Sequence, residues 1–191
     1  MLEKKKALRK IIKVRVSAIS PEERRKREEI LHNNLFSMPE FLAAESVMLF
    51  ANLPDEIDTF SLIDKCIAMG KKVYLPVING DDMTACEFNG EYRVGRYDIK
   101  EPVDVRDSVT EPVDVLLTDR EKVPEHFDFI LVPGVGFSPS GYRLGRGKGY
   151  YDKFLSKYSN LFTVGVCFRE QFYLDIPTEP HDVPMQKVIV C

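Results

Sequence analysis

One strand-to-loop-to-helix passage constrains this chain more than any other. The apolar run from Asp128 to Val132 (DFILV) opens directly into a segment where six of the eleven glycines lie, between Gly134 and Gly149. A helix is expected to follow, from about Gly149 to Tyr158. The core of the segment, GYRLGRGKGYYDKF, holds four glycines, four cations and three tyrosines, with Asp152 as its one acid. In open α/β sheets, ligands bind at the carboxyl ends of strands. The start of the next helix offers free N–H groups and a positive dipole end, which suit phosphate. Gly145, Gly147 and Gly149 can take positive φ and let the backbone approach an anion closely. Arg143, Arg146 and Lys148 add full charges, bidentate for Arg and point-like for Lys. A solvated surface loop is the bland reading; a cradle for a polyphosphate is the sharper one.

Two familiar nucleotide loops do not fit. A Walker loop needs Gly where Tyr142 stands and Ser or Thr where Gly149 stands. A dinucleotide fingerprint starting at Gly134 and Gly136 meets Pro139 in place of its third Gly. Other residues become candidates only beside the loop. Asp152, in the first turn after it, either favours the helix start or helps hold Mg²⁺. Tyr150 and Tyr151 point in different directions on a helix, so at least one should face the loop. Lys5 and Arg9 share a helix face at i, i+4 spacing. Asp55-Glu56 follows a predicted strand, and Asp182 offers a second carboxylate. His181 reads as structural rather than as a ligand.

The rest of the chain reads as one α/β domain with a helical N-terminal arm. Residues 3–17 carry Leu8, Ile11, Ile12 and Val16 at helical spacing. Ser20-Pro21-Glu22-Glu23 starts a second helix, running to about Ser37. Ser46 to Ala51 is a short buried strand, Asp58 or Thr59 caps a helix ending at Gly70, and Lys72 to Pro76 is the next strand. Such a βαβ unit favours a parallel sheet. Thr84 to Phe88 and Val113 to Thr118 are weaker strand candidates. Leu161 to Phe168 and Lys187 to Val190 complete the set.

Composition limits the function classes. The net charge of −3 gives no global field toward nucleic acid or an anionic membrane. The four cysteines are scattered without a CxxC pair, which fits a reducing cytosol and argues against a disulfide framework or zinc site. Cys66 and Cys167 read as small core residues. No apolar run approaches the ~18 residues of a membrane span.

Taken in order, the motifs resemble the 5-formyltetrahydrofolate cyclo-ligase (methenyltetrahydrofolate synthetase) family over nearly the whole chain, residues 1–191 as a single domain. Lys5, Leu8 and Arg9 open the match. Asp55-Glu56-Ile57-Asp58-Thr59, Gly70 to Pro76, and Pro133-Gly134-Val135-Gly136-Phe137 follow. The highly specific centre is Arg143-Leu144-Gly145-Arg146-Gly147-Lys148-Gly149-Tyr150-Tyr151-Asp152. Phe168, Gln171, Pro177 and His181-Asp182 close it. Ser138-Pro139 departs from the family, whose members often carry Asp after the Pro-Gly-x-x-Phe segment.

The resemblance implies an open, mostly parallel sheet flanked by helices. This is a Rossmann-like three-layer arrangement, of the kind shared by sugar-phosphate isomerases and CoA-transferases. It implies ATP-dependent closure of 5-formyltetrahydrofolate, bearing a polyglutamate tail or not, to 5,10-methenyltetrahydrofolate. It places ATP on Lys5, Arg9 and Arg143 through Tyr151 (Arg143, Leu144, Gly145, Arg146, Gly147, Lys148, Gly149, Tyr150, Tyr151), with Arg146 and Lys148 nearest the transferred group. Asp152 and Asp182 would support Mg²⁺, and Ala51, Glu56, Tyr150 and Tyr151 the folate. A cytoplasmic monomer is expected, without nucleic-acid or membrane partners. Two rival readings are a fold relative that binds RNA through the loop, and a sugar-phosphate or acyl-CoA enzyme on a similar sheet. The negative charge and the retained Glu56, Asp152 and Asp182 disfavour the first. The second would not need ATP.

Overall fold

The computed structural model describes residues 1–88, 90–94, 100–102, 127–158 and 161–191. The strand expected over Val113 to Thr118 lies outside them. The chain begins with α1 (Leu2–Ser17), α2 (Pro21–Phe36) and α3 (Pro39–Ala43), then β1 (Ser46–Met48) and α4 (Phe60–Ala68). Next come β2 (Lys72–Asn79), β3 (Asp82–Glu87), β4 (Tyr92–Val94), β5 (Lys100–Pro102) and β6 (Phe129–Val132). The last part holds β7 (Gly136–Phe137), β8 (Arg143–Leu144), α5 (Tyr150–Leu155), β9 (Phe162–Cys167) and β10 (Lys187–Val190).

Six strands form the main sheet in the order β10-β9-β6-β1-β2-β3. All neighbours run parallel except β2 and β3, which form an antiparallel hairpin. The expected mostly parallel sheet between helices is therefore the observed one. Side chains alternate across it, as strand geometry requires. Val47, Phe129 and Leu131 face one core with α1, α2, α3 and α4; Met48, Ile130 and Val132 face the other with α5. Phe41, Phe129 and Phe154 are at most 2% exposed, and truncating a buried Phe to Ala costs about 3–5 kcal/mol.

Local signals explain the helix starts. Ser20 Oγ accepts a hydrogen bond from Glu23 N at 3.2 Å, with Pro21 at the first helical position. At α4 the work is divided. Asp58 Oδ1 accepts from Phe60 N at 3.1 Å. The Thr59 hydroxyl instead donates to the Phe50 carbonyl and accepts from Asn52 N, tying the helix start to the chain leaving β1. The expected N-terminal helical arm packs on the domain, with Ile12 and Val16 buried in the core. The segment α3 and the hairpin strand β3 from Asp82 extend what the sequence pattern shows. The helix after the glycine loop is shorter than expected, ending at Leu155. Cys66 and Cys167 are buried, and burial pushes the Cys66 thiol up to about 12.

Candidate active site

A cavity of about 1210 Å³ opens beside the carboxyl ends of β1 and β6. Every residue to which the resemblance gives a site role lines it: Lys5, Arg9, Ala51, Glu56, the whole run from Arg143 to Asp152, and Asp182; Asp55 does not. These come from α1, the chain after β1, the glycine loop with α5, and the segment before β10.

The glycine loop is shaped by its backbone. Gly147 and Gly149 have φ of 99° and 70°, where a side chain would be strained. Gly145 does not share that region; its carbonyl accepts from Arg9 Nε at 2.7 Å. Arg9 thus pins the loop from α1, and its guanidinium lies against Gly147. With α5 only six residues long, its dipole is a minor contribution, and the charge of the loop rests on its side chains. Of these, Arg146 and Lys148 are exposed.

Arg143 differs from its neighbours. Its side chain is 4% exposed, its Nη2 lies 3.0 Å from Asp152 Oδ2, and its guanidinium sits over the Tyr151 ring at 5.4 Å. Burial pulls its pKa down, against the opposing charge of Asp152. Its Nη1 is buried and has no hydrogen-bond partner among the described residues, and the same holds for the Tyr151 hydroxyl. Burial also pushes the Tyr151 pKa well up, so the phenol stays protonated. Two buried polar atoms that want partners sit in one cavity wall. Tyr150 reaches the other way, its hydroxyl 3.4 Å from the Gly80 carbonyl.

Asp152 is tied to the chain next to Asp182. Val183 N donates to Asp152 Oδ1 at 3.3 Å, and Asp182 is the preceding residue. Asp182 Oδ2 accepts from Glu179 N at 2.8 Å and from Lys5 Nζ at 3.0 Å. Burial alone would raise the Asp182 pKa, but the Glu179 N–H and Lys5 outweigh it and hold it below the usual value. Burial lowers Lys5, yet Glu179 and Asp182 together lift it above its usual range. Carboxylate oxygens of Glu179 and Asp182 and a ring nitrogen of His181 lie within 4.8 Å of one another. His181 itself is 71% exposed.

Glu56 sits in a turn that α2 holds in place. Arg24 donates to the carbonyls of Pro54 and Glu56, at 2.9 and 3.0 Å. Glu56 Oε2 accepts from Leu53 N at 3.0 Å, while Oε1 accepts from Arg146. Ala51, in the chain after β1, is buried and lines the same cavity.

The profile of the 5-formyltetrahydrofolate cyclo-ligase family matches residues 1–191. The chain belongs to that family. A probable 5-formyltetrahydrofolate cyclo-ligase of Caenorhabditis elegans is 31% identical, over 98% of this chain and 92% of that one. The 5-formyltetrahydrofolate cyclo-ligase of Escherichia coli strain K12 is 30% identical, over 94% of this chain and 96% of that one. Among solved structures, the 5,10-methenyltetrahydrofolate synthetase of Aquifex aeolicus is 33% identical, with a TM-score of 0.79 over 97% of this chain and 89% of that one. A Mycoplasma pneumoniae 5,10-methenyltetrahydrofolate synthetase, 21% identical with a TM-score of 0.71, shares the fold. Membership makes this chain a ligase of one-carbon folate chemistry.

Several lining residues carry no role assigned from the sequence. Pro76, Ile78 and Met83 of the β2–β3 hairpin form an apolar wall, and Leu2, Phe50 and Leu53 add to it. Lys153 Nζ donates to the Asp81 carbonyl at 3.2 Å, fastening α5 to the hairpin turn. Gly80-Asp81 is the two-residue loop of that hairpin, between the paired Asn79 and Asp82, and Gly80 has the positive φ such a turn favours. The roles of Arg24 and Glu179 left no trace in local pattern.

Proposed function

We propose that this protein closes 5-formyltetrahydrofolate to 5,10-methenyltetrahydrofolate, using ATP with Mg²⁺ and releasing ADP and phosphate. One observation carries the reading. A single cavity brings together six cations (Lys5, Arg9, Arg143, Arg146, Lys148, Lys153), the carboxylates of Asp152, Glu179 and Asp182, and the Glu56 carboxylate with the apolar side chains of Pro76, Ile78 and Met83. That division suits a polyphosphate at one end and a flat, N–H-rich heterocycle at the other.

The chemistry fits the residues. A formamide oxygen is a poor leaving group. Transfer of the γ-phosphoryl group to it breaks the bond to ADP. N10 then attacks the activated carbon, forming a C–N bond and giving up its proton to solvent, and phosphate departs with the C–O electrons. Such a reaction needs positioning and charge stabilisation more than a protein nucleophile. Arg9 and Lys5 hold the nucleotide from α1. Arg146 and Lys148 lie nearest the transferred group, and Arg143 Nη1 offers a buried donor to a ligand oxygen. Glu56 accepts the pterin N–H groups, and one of the pair Tyr150 and Tyr151 packs on the folate.

Asp152 and Asp182 fit Mg²⁺: both are hard oxygen donors, and both line the cavity beside the cationic loop. When bound there, the ion would neutralise charge on the phosphate oxygens. All these residues come from one chain, so a monomer suffices. A polyglutamate tail would leave the cavity toward solvent. The protein is read as cytoplasmic; among the described residues no helix is long and apolar enough to cross a membrane.

The test is calorimetric titration of Glu56→Gln. Folate affinity should drop about tenfold or more, as expected for a charge-assisted hydrogen bond, with ATP affinity changing far less. Equal weakening of both ligands would place Glu56 outside the folate end.

A further inference from the structure

Arg146 is claimed by two parts of the site at once. Its Nη2 lies 2.6 Å from Asp55 Oδ1 and 3.0 Å from Glu56 Oε1, and its Nε lies 3.2 Å from the same Glu56 oxygen. That oxygen is the one Glu56 does not use within its own turn, where Oε2 accepts from Leu53 N. The proposed phosphate-binding arginine therefore sits on the proposed folate-binding carboxylate.

The two sides of this contact differ in freedom. The turn carrying Asp55 and Glu56 is fixed from α2 by two Arg24 hydrogen bonds and by Glu28 Oε1, which accepts from Asp58 N at 3.0 Å. Arg146 is 45% exposed and stands between Gly145 and Gly147. When the contact breaks, the arginine is the part free to move. Asp55 supplies the shortest of the three hydrogen bonds, and no role in binding falls to it under the reading above.

The geometry points to Asp55 as a positioning residue that stores Arg146 against Glu56 and so couples the two substrate subsites. The inference rests on the proposed function. A folate whose N–H groups engage Glu56 displaces Arg146 from its second carboxylate and frees it for phosphate. A phosphate that takes Arg146 uncovers Glu56 for folate. Such coupling is reciprocal by thermodynamic necessity. Without the Asp55 charge, Arg146 is less firmly stored, and the nucleotide end no longer waits for folate.

The experiment is isothermal titration with Mg²⁺ and an ATP analogue whose γ-phosphate cannot transfer, with and without saturating 5-formyltetrahydrofolate monoglutamate. Wild-type protein should bind the analogue about tenfold more tightly with folate present, within the usual range of coupling. Asp55→Asn should bind the analogue more tightly without folate and lose most of that ratio. Asp55→Glu should restore it, which a merely structural role would not predict. Binding of both ligands by the wild type with no mutual effect overturns the inference alone. So does an Asp55→Asn variant that weakens the analogue and keeps the full ratio. Failure of the wild type to bind the analogue at all overturns the functional reading, and the coupling with it.

Discussion

Arg143 and Asp152 form a buried ion pair, 3.0 Å from Nη2 to Oδ2, with side-chain exposures of 4% and 18%. Arg146, three residues on, is exposed and tied to exposed or half-buried acids. Two arginines of one loop thus do different work, one in the frame and one at the surface.

Substitution separates them. Arg143→Met leaves Asp152 without its charged partner, with only the Val183 N–H still bonded to it, and the stability loss should be about 3 kcal/mol, as for breaking buried pairs. Arg146→Gln should change stability by less than about 0.5 kcal/mol while impairing turnover. Urea unfolding measures both. Equal, small losses would mean that Arg143 is not structural.

Two glycines of the loop should also part ways. Gly141 has φ +83°, and a Cβ there would stand 2.1 Å from the Met185 carbonyl oxygen. Gly149 has φ +70° but open space around its Cβ position. Gly149→Ala should cost only the left-handed strain, about 1–2 kcal/mol. Gly141→Ala should cost clearly more, because the chain at Met185, bonded to the Gly141 carbonyl at 2.8 Å, must move. Denaturation midpoints of the two variants check the order.

The tie between α1 and the segment before β10 sets a pH window. Asp182 is held below its usual 3.8, so its contribution is present above that value and fades as pH falls through the lowered one. Lys5 is held above its usual 10.5, so its contribution is present below that value and fades as pH rises through the raised one. Lys5→Met should therefore melt below wild type across the middle range and converge with it at both extremes. Melting curves from pH 3 to 11 test this; a constant offset throughout would remove the ion pair as the cause.

Sequence reading reached the parts of this protein whose causes are local. Ser20 and Pro21 announce a helix start by chemistry at adjacent positions, and β10 falls on the β-branched run Lys187–Val190 expected as the last strand. The glycine loop concentrates most of its candidate residues in one contiguous run. What stayed hidden is nonlocal. Arg146 and Asp55 are 91 positions apart, and Arg24 meets the Glu56 turn from another element; no periodicity marks such pairs. The apolar wall at Pro76, Ile78 and Met83 belongs to a hairpin whose alternation is broken by acidic and turn residues.

Lys148 tests the cationic loop functionally. It is exposed, so Lys148→Ala should keep the fold and lose about 100-fold or more in turnover, the scale of one lost charge-stabilising donor. Unchanged turnover would remove it from the phosphate end.

The most direct test of the central claim follows the near-ultraviolet absorbance of the methenyl product. Purified protein is mixed with 5-formyltetrahydrofolate and Mg²⁺, and ATP is added last. The account predicts a rise that begins with ATP, matched by one ADP per product formed. A flat trace from folded protein that binds ATP would contradict it.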